Sequence, residues 1–457
     1  MDLTVIVLAA GQGKRMKSPI PKVLHAIGGQ PMILHVLETA KSLKPNKIIV
    51  VQGAGTQLQD AISEPGLEWQ EQTTPLGTGD AVKVALPRIN FAHRVLILYA
   101  DVPLISKETL SRFLRVVPEE SVGLLTVTLP DPTGFGRIVR SAGGDVDRIV
   151  EERDANATER KIHEINTGVF VLSGQWLGEW LPCLKNNNDQ KEFYLTDIIS
   201  FAKEARIPIC TMEPGFSEEV LGVNDVFQKI IVERHYQKRI AENLLKEGVE
   251  ICDPLRFDLR GTLKAGENVS IDVNVVLEGT VSLGNGTRVG PNCILKNCEI
   301  GDHVTVLANS YCEEVKVAAQ CVIGPYARLR PGTELGQGAK IGNFVEIKKS
   351  KIGEHSKINH LSYIGDTVMG SSVNVGASTI TCNYDGAQKH KTIIEDNVFI
   401  GSGTQLVAPV TLGKGSTLGA GTTLSQDAPP GKLTVSHCLE QRVIEGWQRP
   451  QPKKEKG

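Results

Sequence analysis

From its start to position 226 the chain alternates short apolar runs with amphipathic stretches: aliphatics at 5–10, a helical pattern at 31–43, a run at 47–51, a second helical pattern at 80–86 and a run at 95–99. Strand then helix, repeated, predicts an α/β domain whose mostly parallel sheet is covered on both faces. Ligands bind such sheets beyond the carboxyl ends of the strands, so the chemistry belongs just after each apolar run.

Positions 227–246 carry no Gly or Pro and spread Ile230, Ile231, Ile240, Leu244 and Leu245 among charges. With Asp225 as a candidate N-cap and Gly248 as a stop, they read as one connecting helix with a broad polar face. Such a helix lies across a domain junction rather than inside a core.

Beyond it a different period takes over. Ile271, Leu277, Leu283, Val289 and Leu295 recur at every sixth position, as do Ile323, Leu329, Leu335, Ile341 and Ile347. Ile352, Ile358 and Ile364 follow, then Ile394, Ile400, Leu406, Leu412, Leu418 and Leu424. Six fits neither the helical period nor the alternation of a hairpin strand. It is the hexapeptide period of a parallel β-helix, in which each short strand sends one aliphatic inward and a Gly or small polar residue turns the corner. The register slips between Val375 and Ile394, whose separation exceeds three hexads by a single position. Thr381-Cys382-Asn383-Tyr384-Asp385-Gly386 falls in that gap, with Lys389 and Lys391 just beyond. A polar interruption of a regular solenoid is where a binding site is built, although a solvated loop is the plainer reading of the segment alone.

Glycine divides the chain in the same way: 19 of the 46 precede residue 227, none lies in 227–247, and 27 follow. The expected domains are therefore 1–226, a helical linker at 227–247, and 248–457 including a C-terminal tail. Fifty Lys+Arg against 52 Asp+Glu give no electrostatic reason to expect nucleic acid or an anionic membrane as partner. No apolar run reaches the roughly 18 residues of a membrane span, and the N-terminus leads straight into an aliphatic strand without a cationic leader, so a cytoplasmic protein is expected. Nine scattered cysteines with no CxxC pair point to free thiols, not to zinc or a disulfide framework.

The first apolar run ends in Leu8-Ala9-Ala10-Gly11-Gln12-Gly13-Lys14-Arg15-Met16, followed by Pro21-Lys22. Two glycines let backbone approach phosphate oxygens, and Arg15 and Lys22 supply countercharge. Met16 stands where a dinucleotide fingerprint needs its third glycine, and no GxxxxGK[ST] occurs, so redox Rossmann and P-loop readings lose support. Asp101 closes the run at 95–99, where an Asp serves equally well as a loop cap or as a ligand for Mg²⁺.

The N-terminal segment resembles the LxxGxGxRMxxxxPK signature of sugar-phosphate nucleotidyltransferases, with a Rossmann-like α/β fold. With a hexapeptide solenoid behind it, the whole chain resembles the bacterial bifunctional N-acetylglucosamine-1-phosphate uridylyltransferase/glucosamine-1-phosphate N-acetyltransferase family. The deciding motifs are Arg328-Leu329-Arg330-Pro331-Gly332, Asn343-Phe344-Val345-Glu346-Ile347-Lys348-Lys349, His360-Leu361-Ser362-Tyr363-Ile364-Gly365-Asp366 and Asn383-Tyr384-Asp385-Gly386. The resemblance implies a left-handed β-helix, a homotrimer, Mg²⁺ as cofactor, and UTP and acetyl-CoA as co-substrates. It implies Asp101 and Asn224 as metal ligands, and Leu8, Ala9, Ala10, Gly11, Lys22, Gln72, Gly77, Thr78, Tyr99 and Ala100 around the nucleotide. Gly136, Glu151 and Asn166 fall to the sugar, and Arg15 and Lys22 to catalysis. In the second half it implies His360 as general base, with Glu346 orienting the imidazole, and Arg330, Lys348, Tyr363 and Asn374 on the sugar phosphate. Ala377, Asn383, Tyr384, Ser402, Ala420 and His437 fall to acetyl-CoA, His437 standing near where the family often has an Arg for the CoA phosphate. The alternative is a nucleotidyltransferase with a purely structural solenoid, which gives His360 no role.

Overall fold

The run that opens the chain becomes the strand Leu3–Ala9, buried along its whole length because alternate side chains enter different cores. Val5 and Val7 join Val50, Leu96 and Leu98 on one face of the sheet; Ile6 and Leu8 join Ile49, Val51 and Ile97 on the other. At about 1.5–3 kcal/mol for each buried aliphatic, this two-sided burial is what holds the strand at the sheet's centre. Across the sheet the order is Ile209–Met212, Val122–Thr128, Glu164–Ser173, Arg94–Tyr99, Leu3–Ala9, Lys47–Gly53, Leu67–Gln72. Glu164–Ser173 runs antiparallel to both neighbours, and the other pairings along this order are parallel. The chain moves outward from Leu3–Ala9 to Leu67–Gln72 and returns to the opposite side as Arg94–Tyr99. That reversal opens a crevice beyond the carboxyl ends of the two adjacent strands.

The computed structural model describes residues 2–11 and 13–436, which divide into two units, one ending at Tyr236 and the other beginning at Gln237. The division falls inside the helix Val226–Lys246, whose residues to Tyr236 belong to the first unit and whose remainder belongs to the second. Asp225 caps it, its Oδ1 accepting from the Gln228 amide at 2.8 Å. Of the helix's apolar residues Ile230, Ile231 and Leu245 are exposed, while Val232, Ala241 and Leu244 are buried. Among the described residues no helix is long and apolar enough to cross a membrane.

The second unit is the parallel β-helix that the hexad period predicts, left-handed as the family resemblance implies. Ile271 pairs with Val289 and Leu277 with Leu295, three hexads on in each case; Val289 pairs with Val306, one position short of three hexads. Three hexads therefore make one triangular coil, and every hexad aliphatic named above is buried in one continuous core. Corners fall on residues at positive φ, among them Asn268, Asn274, Asn292, Asn297 and Asn309, because asparagine tolerates the left-handed conformation better than other side chains. Cys293, Cys298, Cys312 and Cys321 fill inward positions, and the described cysteines are all free. The slip of one position understates the interruption: Met369 pairs with Ile394 and Val375 with Ile400, each four hexads and one position on. The excess is an ordered hairpin in which Tyr384 bridges Lys389 and the Asp385 carboxylate accepts from the Ala387 and Gln388 amides, both at 2.7 Å.

Where the helix meets the first coil, Gln237 is buried and both donates to the Leu259 carbonyl and accepts from the Leu259 amide, each at 2.8 Å. Gln237→Met leaves both Leu259 groups buried without that partner, a loss of about 2–4 kcal/mol. Hydrogen exchange at the Leu259 amide, compared with the wild type, measures it. Unchanged protection would show the pair to be dispensable.

Candidate active sites

In the first unit the functional side chains converge on the crevice between Leu3–Ala9 and Arg94–Tyr99. The two strands are in register with Leu8 opposite Tyr99, and the Ala100 amide donates to the Leu8 carbonyl at 3.0 Å. Gly11 and Ala100–Asp101 therefore leave adjacent strand ends together. Gly13 turns at φ +58, where an added Cβ would sit 2.6 Å from the Lys22 Cβ. The glycine is required because the buried Lys22 stem passes under the loop. Met16 fills a pocket with Ile27, Met32, Leu104, Val223 and Val232, which gives a packing reason for its place in the motif. Arg15, on the short turn Lys14–Met16, is exposed.

Lys22 Nζ donates to Asp101 Oδ2 and to Asn224 Oδ1, the latter at 3.2 Å. Asn224 is held by its own amide on Gln228 Oε1 at 2.8 Å, and the preceding Val223 amide donates to the Asp101 carbonyl at 2.9 Å. Two hard oxygens thus surround a positive charge, the donor set a divalent cation takes. A cleft of about 300 Å³ opens alongside, lined by Ala9, Ala10, Gly11, Pro21, Gln52 and Gly53. Gln72, opposite Gly53 on the outer strand, is buried and donates to the Gly77 carbonyl at 3.1 Å and to Asp80 at 2.7 Å. Thr78 Oγ1 accepts from the Leu195 amide at 3.1 Å.

The residues expected around the sugar also gather. The Asn166 amide donates to the Gly136 carbonyl at 2.8 Å, and a Cβ on Gly136 would lie 3.4 Å from both Glu151 carboxylate oxygens. Burial raises the Glu151 carboxyl above its ordinary range, against a 3.3 Å hydrogen bond from Thr196. Burial, with Glu151 nearby, likewise raises the Tyr99 phenol. Gly168 must be glycine, since its Cβ would stand 2.5 Å from the Tyr99 ring.

In the second unit one corner bond repeats from coil to coil: Leu361 N to Asn343 O, Ser378 N to His360 O, Gly403 N to Ala377 O and Gly421 N to Ser402 O. Asn343, His360, Ala377, Ser402 and Ala420 therefore form a single column. His360 is exposed and its Nδ1 lies 3.0 Å from Asn343 Oδ1. A carbonyl oxygen only accepts, so Nδ1 donates to it, and in the neutral imidazole the lone pair is on Nε2. The orienting role expected of Glu346 is thus corrected: Glu346 is engaged by Arg330 at 2.8 Å, and Asn343 holds the imidazole. Sequence reading missed Asn343 as a partner, although it stands directly beside His360 in the strand pairing, one coil before it.

Arg330, Lys348 and Lys389 form a group of cations, with Asp366 close by; the Lys389 amine beside Lys348 lowers the Lys348 ammonium from its usual range. A Cβ on Gly365 would meet the Tyr363 hydroxyl at 2.5 Å and the Asn383 amide at 2.8 Å, and Asn383 Nδ2 donates to Asp366. Asn383 thereby sits with the sugar-phosphate candidates and not in the column of Ala377, Ser402 and Ala420. Tyr384 is exposed on the hairpin, and Asn374 lies just ahead of Ala377 on the face that carries Lys357 and Phe399. His437 lies outside the described residues.

Residues 5–156 match the MobA-like NTP transferase domain, and residues 391–426 match the bacterial transferase hexapeptide of six repeats. The proteins named Bifunctional protein GlmU from Ralstonia nicotianae and Azoarcus sp. are 50% and 51% identical to this chain over 449 residues, covering 98% of it and 98% and 99% of their own lengths. That of Ralstonia pickettii is 49% identical over 456 residues and the full length of both chains. Matched from end to end by these relatives, with a transferase domain recognised in each half, the chain belongs to the GlmU family of bifunctional proteins.

Proposed function

We propose that the two units catalyse consecutive steps toward UDP-N-acetylglucosamine. The second unit transfers the acetyl group of acetyl-CoA to glucosamine 1-phosphate, and the first joins the product to UTP with release of pyrophosphate. The observation that carries this reading is the pairing, on one chain, of a Lys22–Asp101–Asn224 constellation at a switch crevice with a His360 whose Nε2 is free to accept a proton.

In the first unit the sugar phosphate oxygen attacks the α-phosphorus of UTP in line and pyrophosphate leaves, so no protein nucleophile is needed. The work is positioning and charge: Gly11 and Gly13 admit the phosphates, Arg15 and Lys22 stabilise the crowded negative charge, and Gly136, Glu151 and Asn166 fix the sugar. Asp101 and Asn224 would hold Mg²⁺, which neutralises charge on the departing pyrophosphate. In the second unit Nε2 of His360 takes the amine proton as nitrogen attacks the thioester carbonyl; the C–S bond then breaks, and the departing CoA sulfur takes that proton from the imidazolium to leave as the thiol. Arg330 and Lys348 hold the sugar phosphate, with Lys389 beside them.

Ala377, Ser402 and Ala420 lie on a column apart from Asn383, and an acetyl-CoA held between neighbouring copies of the chain would meet both sets. Exposed Tyr326, Phe344 and Leu361, the first two stacked at 5.3 Å, stand near that column and supply apolar surface for such packing. The apolar surface supports self-association, and the family resemblance makes the assembly a homotrimer.

Incubation with glucosamine 1-phosphate, acetyl-CoA, UTP and Mg²⁺ tests the reading by following free thiol and pyrophosphate separately. Both appear, and omission of acetyl-CoA suppresses pyrophosphate until N-acetylglucosamine 1-phosphate is supplied. Pyrophosphate without thiol would reduce the solenoid to a platform.

A further inference from the structure

We infer that Lys22 is the resident cation of the metal position, and that a divalent ion binds this unit only with a nucleotide triphosphate that draws Lys22 away. The inference rests on the assignment of Asp101 and Asn224 as the ligands. The Lys22 ammonium donates to both of those oxygens at once. Its side chain is 9% exposed and that of Asp101 16%, so solvent does little to dilute the pairing. With the ammonium in place the site is electrically satisfied: one carboxylate, one neutral amide, one positive charge. Among the described residues no group of three or more His, Cys, Asp or Glu side chains offers further anionic ligands. A dication entering the free unit must displace a bonded ammonium or sit against it, and one freed carboxylate is poor compensation.

The exit for Lys22 is short. A Cβ on Gly11 would lie 3.9 Å from both Cε and Nζ, so the tip of the side chain already runs beneath the loop where phosphates are expected. When a triphosphate occupies that loop, Lys22 exchanges one oxyanion for another and Asp101 becomes free for the metal. Asn224 does not have to move, since Gln228 and the Val223–Asp101 backbone bond already fix it. Each charge keeps an opposite partner on both sides of the exchange, Lys22 on Asp101 before it and on phosphate after it. Lys22 is then a gate that couples metal binding to nucleotide binding, in addition to its role against the phosphates.

The test uses the full-length protein and MnCl₂ as probe, with bound Mn²⁺ read by electron paramagnetic resonance. Wild type acquires a saturable site only when α,β-methylene UTP is present. Lys22→Gln and Lys22→Ala acquire it without nucleotide, tightening Mn²⁺ binding by at least about tenfold, as removal of one adjacent unit charge should. Adding Asp101→Asn to either variant abolishes the gained site. Nucleotide-free binding in wild type as tight as in both variants overturns the gate; if Asp101→Asn still weakens Mn²⁺ binding with nucleotide, the ligand assignment stands while the gate falls. A gained site that survives Asp101→Asn overturns both.

Discussion

His360→Ala lowers acetyl transfer by roughly 10²–10⁴-fold, the worth of a positioned general base, and leaves uridylyl transfer at the wild-type rate. The argument starts from the tautomer. Asn343 Oδ1 accepts from Nδ1, which in the neutral imidazole puts the lone pair on Nε2, and His360 stands in the column that continues through Ala377, Ser402 and Ala420. Alanine removes that lone pair and nothing from the core, since the imidazole is exposed and the inward position of the same strand is Ile358. Substitutions of that kind change stability by about 0.5 kcal/mol or less. Separate assays of free thiol and pyrophosphate therefore separate chemistry from folding. Asn343→Ala falls between wild type and His360→Ala, because it frees the imidazole to rotate and to change tautomer without deleting the base. Equal loss of both activities in His360→Ala would mean that the two sites are not independent.

What the sequence made legible follows from what its periods encode. A solenoid repeats its inward position at a fixed spacing, so Ile341, Ile347, Ile358 and Ile364 could be placed in the core without any structure. The crevice was equally readable, because a glycine loop and an Asp at the ends of apolar runs mark strand termini in a parallel sheet. Contacts between coils were harder to see. Coils of three full hexads and coils one position shorter alternate irregularly, so the residue that stands beside His360 one coil before it, Asn343, follows from the strand pairing and not from a count in hexads. The hairpin at Tyr384–Lys389 was undercounted for a related reason: counting in hexads registers only the remainder of an insertion, and a coil longer than the others by more than a hexad appears as a slip of one. On the helix Val226–Lys246, aliphatic content alone did not set the buried side; packing of Val232 and Ala241 did.

Asp101→Asn abolishes uridylyl transfer, by roughly 10²–10⁴-fold if the carboxylate supplies several kcal/mol of charge organisation at the phosphates, and leaves acetyl transfer intact. Two effects add. Asparagine keeps the shape of the side chain and its backbone bond with Val223, but removes the one negative charge among the oxygens that meet at Lys22. The metal loses its anionic ligand, and Lys22 loses the partner that neutralises it in a largely buried position. An unpaired buried ammonium costs about 3–5 kcal/mol in comparable pairs, so Asp101→Asn also unfolds the first unit at lower denaturant, while the hexapeptide unit keeps its own transition. Lys22→Met on top of Asp101→Asn recovers part of that stability, because the charge and its lost partner are removed together, yet it recovers no uridylyl transfer. Stability and activity thus part company across the two variants, which a merely structural ion pair would not produce. Pyrophosphate release in Asp101→Asn at the wild-type rate would remove this carboxylate from the reaction altogether.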